Sequence, residues 1–157
     1  MLLPLLSSLA LAACGSGDAT PPPSPAEGVT QVQRQLLQST TTDRAPGQTL
    51  ELSRVIIPAG QEIAAHTHPG AQLAVIAEGT LTYTVLTGQV QVTRDAGSAN
   101  AKAETVTAGR SVELRTGDTV VETVNMVHTA KNTTGGPVVI YLSSLFPEGA
   151  PASSPAQ

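Results

Sequence analysis

The sequence is poor in aromatic residues. Its 157 residues include one Phe, two Tyr and no Trp, although 40% are hydrophobic. The apolar residues are mostly Val, Leu and Ala, so any core must be aliphatic. After its terminal segments are set aside, the chain has room for one domain of roughly 100–130 residues.

Stretches with helical apolar spacing are also scarce. Val and Thr are abundant, and Gly recurs between short apolar runs. This composition is typical of many short strands joined by tight turns. We therefore predict an all-β fold.

Positive charge is sparse and dispersed. The eight basic residues occur singly between Arg34 and Lys131, and the net charge is −4. No basic patch for nucleic acid is present, so we exclude nucleic acid as a partner. No nucleophile elbow, phosphate loop or dinucleotide motif occurs either, which disfavours covalent and nucleotide chemistry.

The N-terminal segment is an apolar run from Leu2 to Ala13. It has the length of a signal-peptide core and falls short of the ~20 residues that span a bilayer. The run ends in Leu11-Ala12-Ala13-Cys14, which resembles the bacterial lipobox, although no Lys or Arg precedes it. The resemblance implies a signal peptide over 1–13 and lipidation of Cys14, against the alternative of a free buried cysteine. The chain would then be anchored in the cell envelope, facing the periplasm or the exterior.

Two segments have the composition of flexible chain. Residues 14–28 are rich in Gly, Ser and Pro, and residues 149–157 are similar. Such segments bury too little apolar surface to offset their ordering entropy. We predict a lipid-anchored tether over 14–28, one folded domain over 29–148 and a disordered tail over 149–157.

Alternating polar and apolar residues predict the strands. In residues 80–85, Leu81, Tyr83 and Val85 share one face. Gly88 separates this run from residues 89–93, and we interpret the two runs as a hairpin.

Residues 29–38 are ambiguous between helix and strand, and we favour a strand. Periodicity alone leaves a jelly roll and an up-and-down barrel both open. Further runs lie at 49–57, 72–77, 104–107, 111–114, 119–124, 127–130 and 138–142.

The chain has only three histidines, His66, His68 and His128. In an extended strand, His66 and His68 would point to the same face. The Pro69-Gly70 pair can turn the chain and bring Gln72 back beside them. This unit is a candidate metal site.

The spacing of these residues resembles the two motifs of the cupin family. The first motif, a Gly, His-x-His, a carboxylate and a Gly, is matched by Gly60, His66, His68, Gln72 and Gly79, with Gln72 in place of the carboxylate. The second is matched by Gly117, His128 and Asn132, with Thr123 and Asn125 in place of its Pro and Gly. Asn125 can adopt the positive φ required there.

The resemblance to small single-domain cupins covers about residues 49–145. It implies a double-stranded β-helix, or jelly-roll barrel, in which His66, His68 and His128 bind one divalent ion of Fe, Zn, Cu, Ni or Mn. Gln72 is a candidate fourth ligand through its amide oxygen, or a hydrogen-bond donor to a bound water or substrate. A three-histidine site leaves one or more coordination positions of the metal open, where water, substrate or oxygen can bind.

Two functions follow as hypotheses. The first is a metal-dependent enzyme, dioxygenase-like, that acts on a small organic substrate. The alternative is a non-catalytic envelope lipoprotein that binds a metal or a small ligand. The third hypothesis is a purely structural barrel whose site binds nothing. We also expect a homodimer formed through the outer strands.

Four other residues are assigned from their positions. Tyr83 is the candidate catalytic residue, and core packing is its alternative. Glu122 lies near the metal strand and could serve as a base, but it equally fits the solvent face of an alternating strand, so it receives no role. Asp118 and Asn132 are interpreted as structural turn residues.

Overall fold

A computed structural model describes residues 28–156, and all regular elements in this part are β-strands. No helix among these residues is long and apolar enough to span a membrane. The strands are β1 (Gln33–Thr41), β2 (Gln48–Ile57), β3 (Glu62–Thr67), β4 (Ala71–Glu78), β5 (Thr80–Thr87), β6 (Gln89–Arg94), β7 (Lys102–Thr107), β8 (Ser111–Arg115), β9 (Thr119–Glu122), β10 (Val127–Lys131), β11 (Val138–Pro147) and β12 (Ser154–Pro155).

The strands form two antiparallel sheets. The larger has the order β1-β2-β11-β4-β9-β6-β7, and the smaller has the order β12-β3-β10-β5-β8. Inward side chains of both sheets form one aliphatic core, to which β2 contributes Ile57, β5 contributes Leu81 and Val85, and β11 contributes Ile140. Alternation within each strand places these residues inward, as predicted from their period of two.

The path of the chain distinguishes the two barrel types that periodicity left open. From β2 to β6 the chain changes sheet at every connection, and it does so again from β7 to β11. In an up-and-down barrel each strand would pair with the next one along the chain. The all-β prediction is therefore confirmed, and the architecture is the double-stranded β-helix.

The predicted hairpin of residues 80–85 and 89–93 was wrong. β5 pairs with β8 and β10 in the smaller sheet, whereas β6 pairs with β7 and β9 in the larger. Gly88, with φ of 81°, lies where the chain crosses between the sheets. Alternation reveals which face of a strand is buried but does not identify its hydrogen-bonded neighbour.

The predictions for the two terminal segments had different outcomes. The ambiguous N-terminal stretch enters strand β1 at Gln33, as favoured. The prediction of a disordered tail was wrong for residues 149–156, because β12 pairs with β3 through Ser154 and Pro155. The predicted signal peptide, Cys14 and the tether up to residue 27 lie outside the described residues.

Asn132 connects three segments of chain. Its amide nitrogen donates to the carbonyls of Ile57, at 2.8 Å, and Gly136, at 2.7 Å, while its oxygen accepts from the Thr134 backbone at 2.9 Å. The side chain is fully buried. Its predicted structural role is confirmed.

Asp118 is also structural, as predicted. It accepts hydrogen bonds from Arg94, at 2.6 Å, and from the Arg115 backbone, at 2.9 Å. Asn125 has the expected positive φ, 67°. Both residues shape the turns on either side of β9.

We predict that Asn132→Ala lowers the free energy of unfolding by about 3 kcal/mol, because buried backbone groups lose their partners. Urea unfolding followed by circular dichroism would measure this loss. Asn100→Ala, on an exposed loop, is the matched control and should change stability by less than about 0.5 kcal/mol. Equal losses in the two variants would contradict the structural role of Asn132.

Candidate metal centre

The three histidines meet inside the barrel. His66 on β3 lies opposite His128 on the neighbouring strand β10, and His68 follows β3 directly. One ring nitrogen from each residue lies within 4.8 Å of the other two, and all three side chains are buried. The predicted convergence of the histidines is confirmed.

Backbone carbonyls orient two of the rings. The Nδ1 of His66 lies 2.7 Å from the Ala64 carbonyl, and the Nδ1 of His68 lies 2.7 Å from the Ala152 carbonyl. Because a carbonyl oxygen can only accept, each Nδ1 carries a hydrogen, and a neutral ring keeps its lone pair on Nε2. Metal-binding histidines are commonly held by this kind of contact.

The third ring is held by packing. His128 stacks on Tyr83 with ring centroids 4.8 Å apart and planes at 19°. Its Nδ1 is buried and has no hydrogen-bond partner among the described residues. Phe146 stacks in a similar way on His68, at 6.0 Å. Aromatic faces therefore limit the rotation of two of the three rings.

Glu122 lies in the same space, so of the two positions considered for it the solvent face was wrong. It is only 4% exposed. Its Oε1 accepts a hydrogen bond from the Tyr83 hydroxyl at 2.8 Å, and its Oε2 accepts one from the Gln72 amide at 2.7 Å. The Nε2 atoms of His68 and His128 each lie 3.3 Å from one of these oxygens.

The sequence signal for Glu122 was weak because Val120 and Val121 are both apolar, so alternation does not determine which face of β9 is buried. The register of the pairing between β4 and β9 could have revealed the inward position of Glu122. Glu122 lies directly opposite Gln72 in the β4–β9 pair, and Gln72 was already placed beside the histidines.

Gln72 faces the histidines with its amide nitrogen, which lies 3.2 Å from the Nε2 of His68. Its oxygen turns away and accepts from the Ser144 hydroxyl at 2.9 Å and from Arg34 at 3.5 Å. An amide nitrogen offers a metal no lone pair. This geometry favours the hydrogen-bonding role considered for Gln72 over the ligand role.

Burial determines the protonation of the site. It lowers the pKa of His128 to about 4, against the opposing attraction of Glu122. Burial also lowers the pKa of His66, and it raises the pKa of Tyr83 far above its ordinary value. Burial opposes the charge on Glu122, yet contacts with His68, His128 and Tyr83 leave its pKa lowered. Near neutral pH His66 and His128 are thus neutral, Tyr83 is a phenol that donates, and Glu122 is an anionic carboxylate.

The histidines form the polar end of a cavity of about 260 Å³. This volume is slightly below the roughly 300–1,000 Å³ of typical ligand sites, which suits a small molecule. Tyr83 lines the cavity, as expected for the candidate catalytic residue, but its hydroxyl is engaged by Glu122. The apolar lining includes Val55, Ile63, Ile76, Leu81, Leu114, Val120, Ile140 and Leu142.

No family model and no curated protein matches the sequence. Solved structures with a similar fold include KdgF from Halomonas sp., 18% identical, with a TM-score of 0.49 over 75% of this chain and 82% of that one. A cupin 2 conserved barrel domain protein from Leptotrichia buccalis is 15% identical, with a TM-score of 0.47 over 76% of this chain and 42% of that one.

A salicylate 1,2-dioxygenase from Pseudaminobacter salicylatoxidans is 16% identical, with a TM-score of 0.44 over 64% of this chain and 26% of that one. The chain spans less than half the length of the Leptotrichia buccalis protein and of the dioxygenase. The architecture therefore rests on the strand order described above.

We predict that the metal-free chain loses stability as the pH falls from about 6.5 to about 4. The folded state holds His128 neutral, with a pKa of about 4 against 6.5 unfolded. Its contribution is therefore complete above pH 6.5 and declines below it, by on the order of 3 kcal/mol in total. Urea unfolding across this pH range would measure the decline.

His128→Gln is the matched variant, and its stability should depend less steeply on pH over the same interval. Some dependence should remain, because burial also lowers the pKa of His66. Identical slopes for the two proteins would contradict the assignment to His128.

Proposed function

We propose that the domain binds one divalent metal ion through His66, His68 and His128 and uses it to act on a small organic molecule. The observation that carries the proposal is the approach of three buried ring nitrogens to within 4.8 Å. Carbonyl contacts at His66 and His68 leave lone pairs on Nε2, which is what a metal requires. The residues present therefore fit such an ion.

A bound divalent metal would supply Lewis acidity and an open position for water, substrate or oxygen. Imidazole donors suit Fe, Ni, Cu and Zn. The barrel itself surrounds the histidines with largely aliphatic walls, and contacts with Ala64, Ala152 and Tyr83 orient their rings.

The cavity supports a small, largely apolar ligand. Its walls are aliphatic on most sides, and polar groups gather at the histidine end. Arg34 also lines the cavity, where it contacts Gln72 and lies 3.6 Å from Glu51. Tyr83 and Glu122 add a hydroxyl and a carboxylate beside the histidines, and these groups favour a catalytic role, such as a dioxygenase-like one, over simple storage.

The second candidate is a non-catalytic binding protein for a metal or a small ligand. The predominance of aliphatic residues in the cavity favours it. Turnover assays on a panel of small aromatic and carboxylate substrates, with the metal loaded, separate the two functions. Ligand binding without turnover of any substrate would support the binding protein.

Export, lipid anchoring at Cys14 and a position in the cell envelope stay predictions, which membrane fractionation of wild type and Cys14→Ser would test.

The homodimer also stays a prediction. Leu52, Leu73 and Val121 are exposed on the outer face of the larger sheet, where pairing would bury them. Sedimentation as a monomer at micromolar concentration would reject the dimer.

We predict that the purified chain binds one equivalent of divalent metal and that His66→Ala abolishes this binding. Removing one of three buried nitrogen donors leaves an incomplete site. Elemental analysis and chelator competition would measure stoichiometry and affinity. Thr67→Ala, at the adjacent position of the same strand, is the control and should bind as wild type does. Wild-type protein that binds no metal would refute the proposal.

We predict that a chain ending at Ala150 binds metal about 10–100-fold more weakly, because it lacks the Ala152 carbonyl that holds the His68 ring. Chelator competition measures the affinity, and removal of Gln157 alone serves as the control. Unchanged affinity in the shorter chain would show that the C-terminal segment does not orient His68.

A further inference from the structure

We infer that Glu122 is the fourth protein ligand of the metal, so that the site contains three nitrogens and one carboxylate oxygen. This inference rests on the proposed metal site. The carboxylate comes from β9, whereas the motif that the sequence resembles places it at residue 72 on β4. Nothing in the spacing of the histidines assigns this role to Glu122.

The distances fit a shared ion. Each carboxylate oxygen of Glu122 lies 3.3 Å from one histidine Nε2, on His68 and His128 respectively. Neighbouring ligands around a tetrahedral ion, each about 2.1 Å from it, are separated by about 3.4 Å. Each Glu122 oxygen therefore already has, towards one of these two histidines, the spacing of neighbouring ligands.

The lone pairs at the site suit a cation. When the His68 ring is neutral, the contact with Ala152 places its hydrogen on Nδ1, so its Nε2 presents a lone pair on the side where Glu122 and the Gln72 amide lie. Tyr83 and Gln72 each donate one hydrogen bond, to separate oxygens of the carboxylate. A carboxylate has about four acceptor positions, so acceptor capacity remains on the side of the histidines. A bound cation would satisfy both the nitrogen and the oxygen lone pairs.

The surroundings of Glu122 suit a ligand carboxylate. The side chain is almost fully buried, and a buried carboxylate without a compensating charge is costly. Tyr83 and Gln72 orient it from behind, as second hydrogen-bond partners commonly orient ligand carboxylates. The nearby cation Arg34 contacts Gln72 and Glu51. A divalent ion among the histidines is the charge that would balance Glu122.

A carboxylate ligand changes the preference of the site among metals. Three imidazoles alone favour the borderline ions Ni, Cu and Zn, whereas a hard anionic oxygen adds affinity for Mn and Fe. The inference therefore predicts that removal of Glu122 weakens the binding of Mn²⁺ more than that of Ni²⁺. A residue that only supported the fold would weaken both metals equally.

The test compares four forms of the full-length chain: wild type, Glu122→Gln, the exchange variant Gln72→Glu/Glu122→Gln, and Glu113→Gln. The last removes an exposed carboxylate and makes the same change in net charge. Chelator competition gives the affinities for Mn²⁺ and Ni²⁺, and the visible spectrum of the Co²⁺ form reports its ligands. Circular dichroism reports whether each variant is folded.

We expect Glu122→Gln to weaken Mn²⁺ binding more than 100-fold and Ni²⁺ binding about 10-fold, and to change the Co²⁺ spectrum. The exchange variant should recover most of the Mn²⁺ affinity, because the carboxylate returns to the opposite side of the same pair of strands. Glu113→Gln should match wild type. Equal losses for both metals with an unchanged Co²⁺ spectrum would overturn the inference.

Two further outcomes keep the inference separate from the proposed function. If His66→Ala loses metal while Glu122→Gln retains full affinity, the metal site stands and the role of Glu122 is refuted. If wild type binds no metal, the proposed function itself fails. Should Glu122→Gln not fold, a crystal structure of the Mn²⁺ form of wild type decides: a Glu122 oxygen at about 2.1 Å from the ion supports the inference, and one beyond about 3 Å overturns it.

Discussion

Three imidazoles, a carboxylate and an amide share one buried space inside a barrel whose other walls are aliphatic. Polar groups removed from water need partners, and each unpaired group costs on the order of 1–3 kcal/mol. The His66 ring receives its partner from β3, and the His68 ring receives one from the segment that precedes β12. The pairing of β12 with β3 and the inward side chain of Glu122 therefore both serve this polar centre.

Two of the three Phe and Tyr residues lie close to the same centre. Tyr83 stacks on His128, and Phe146, the only phenylalanine, stacks on His68. Flat side chains restrict the tilt of an imidazole, whereas branched aliphatic side chains leave more freedom around it. A chain with so few rings thus places two of its three Phe and Tyr residues against candidate metal ligands. The remaining core is packed with Val, Leu and Ile.

Much of the fold could be predicted from the sequence because alternation is a local property. The inward positions of Leu81, Tyr83 and Val85 follow from a period of two, and their burial agrees. The convergence of His128 on His66 followed from resemblance to a motif rather than from periodicity. The false hairpin at Gly88 and the missed strand β12 have a common cause. Both depend on which strand lies beside which, and that information resides in contacts distant along the chain.

Glu122 shows the same limit at the scale of one side chain. Its strand carries Val120 and Val121 in succession, so either face could have been the buried one. Once β9 pairs with β4, the inward position opposite Gln72 is determined. When a short strand carries apolar residues on both faces, its pairing with the neighbouring strands thus determines which face is buried.

The pairing of Gln72 with Glu122 also explains why an amide is suited to position 72. A second carboxylate there would lie against Glu122 in a buried space, and two such charges repel strongly. The amide instead donates to Glu122 through its nitrogen while its oxygen accepts from Ser144. One carboxylate and one amide on adjacent strands therefore present a single, well-oriented negative charge to the histidines. Because the two positions face each other, the carboxylate can reach that space from either strand.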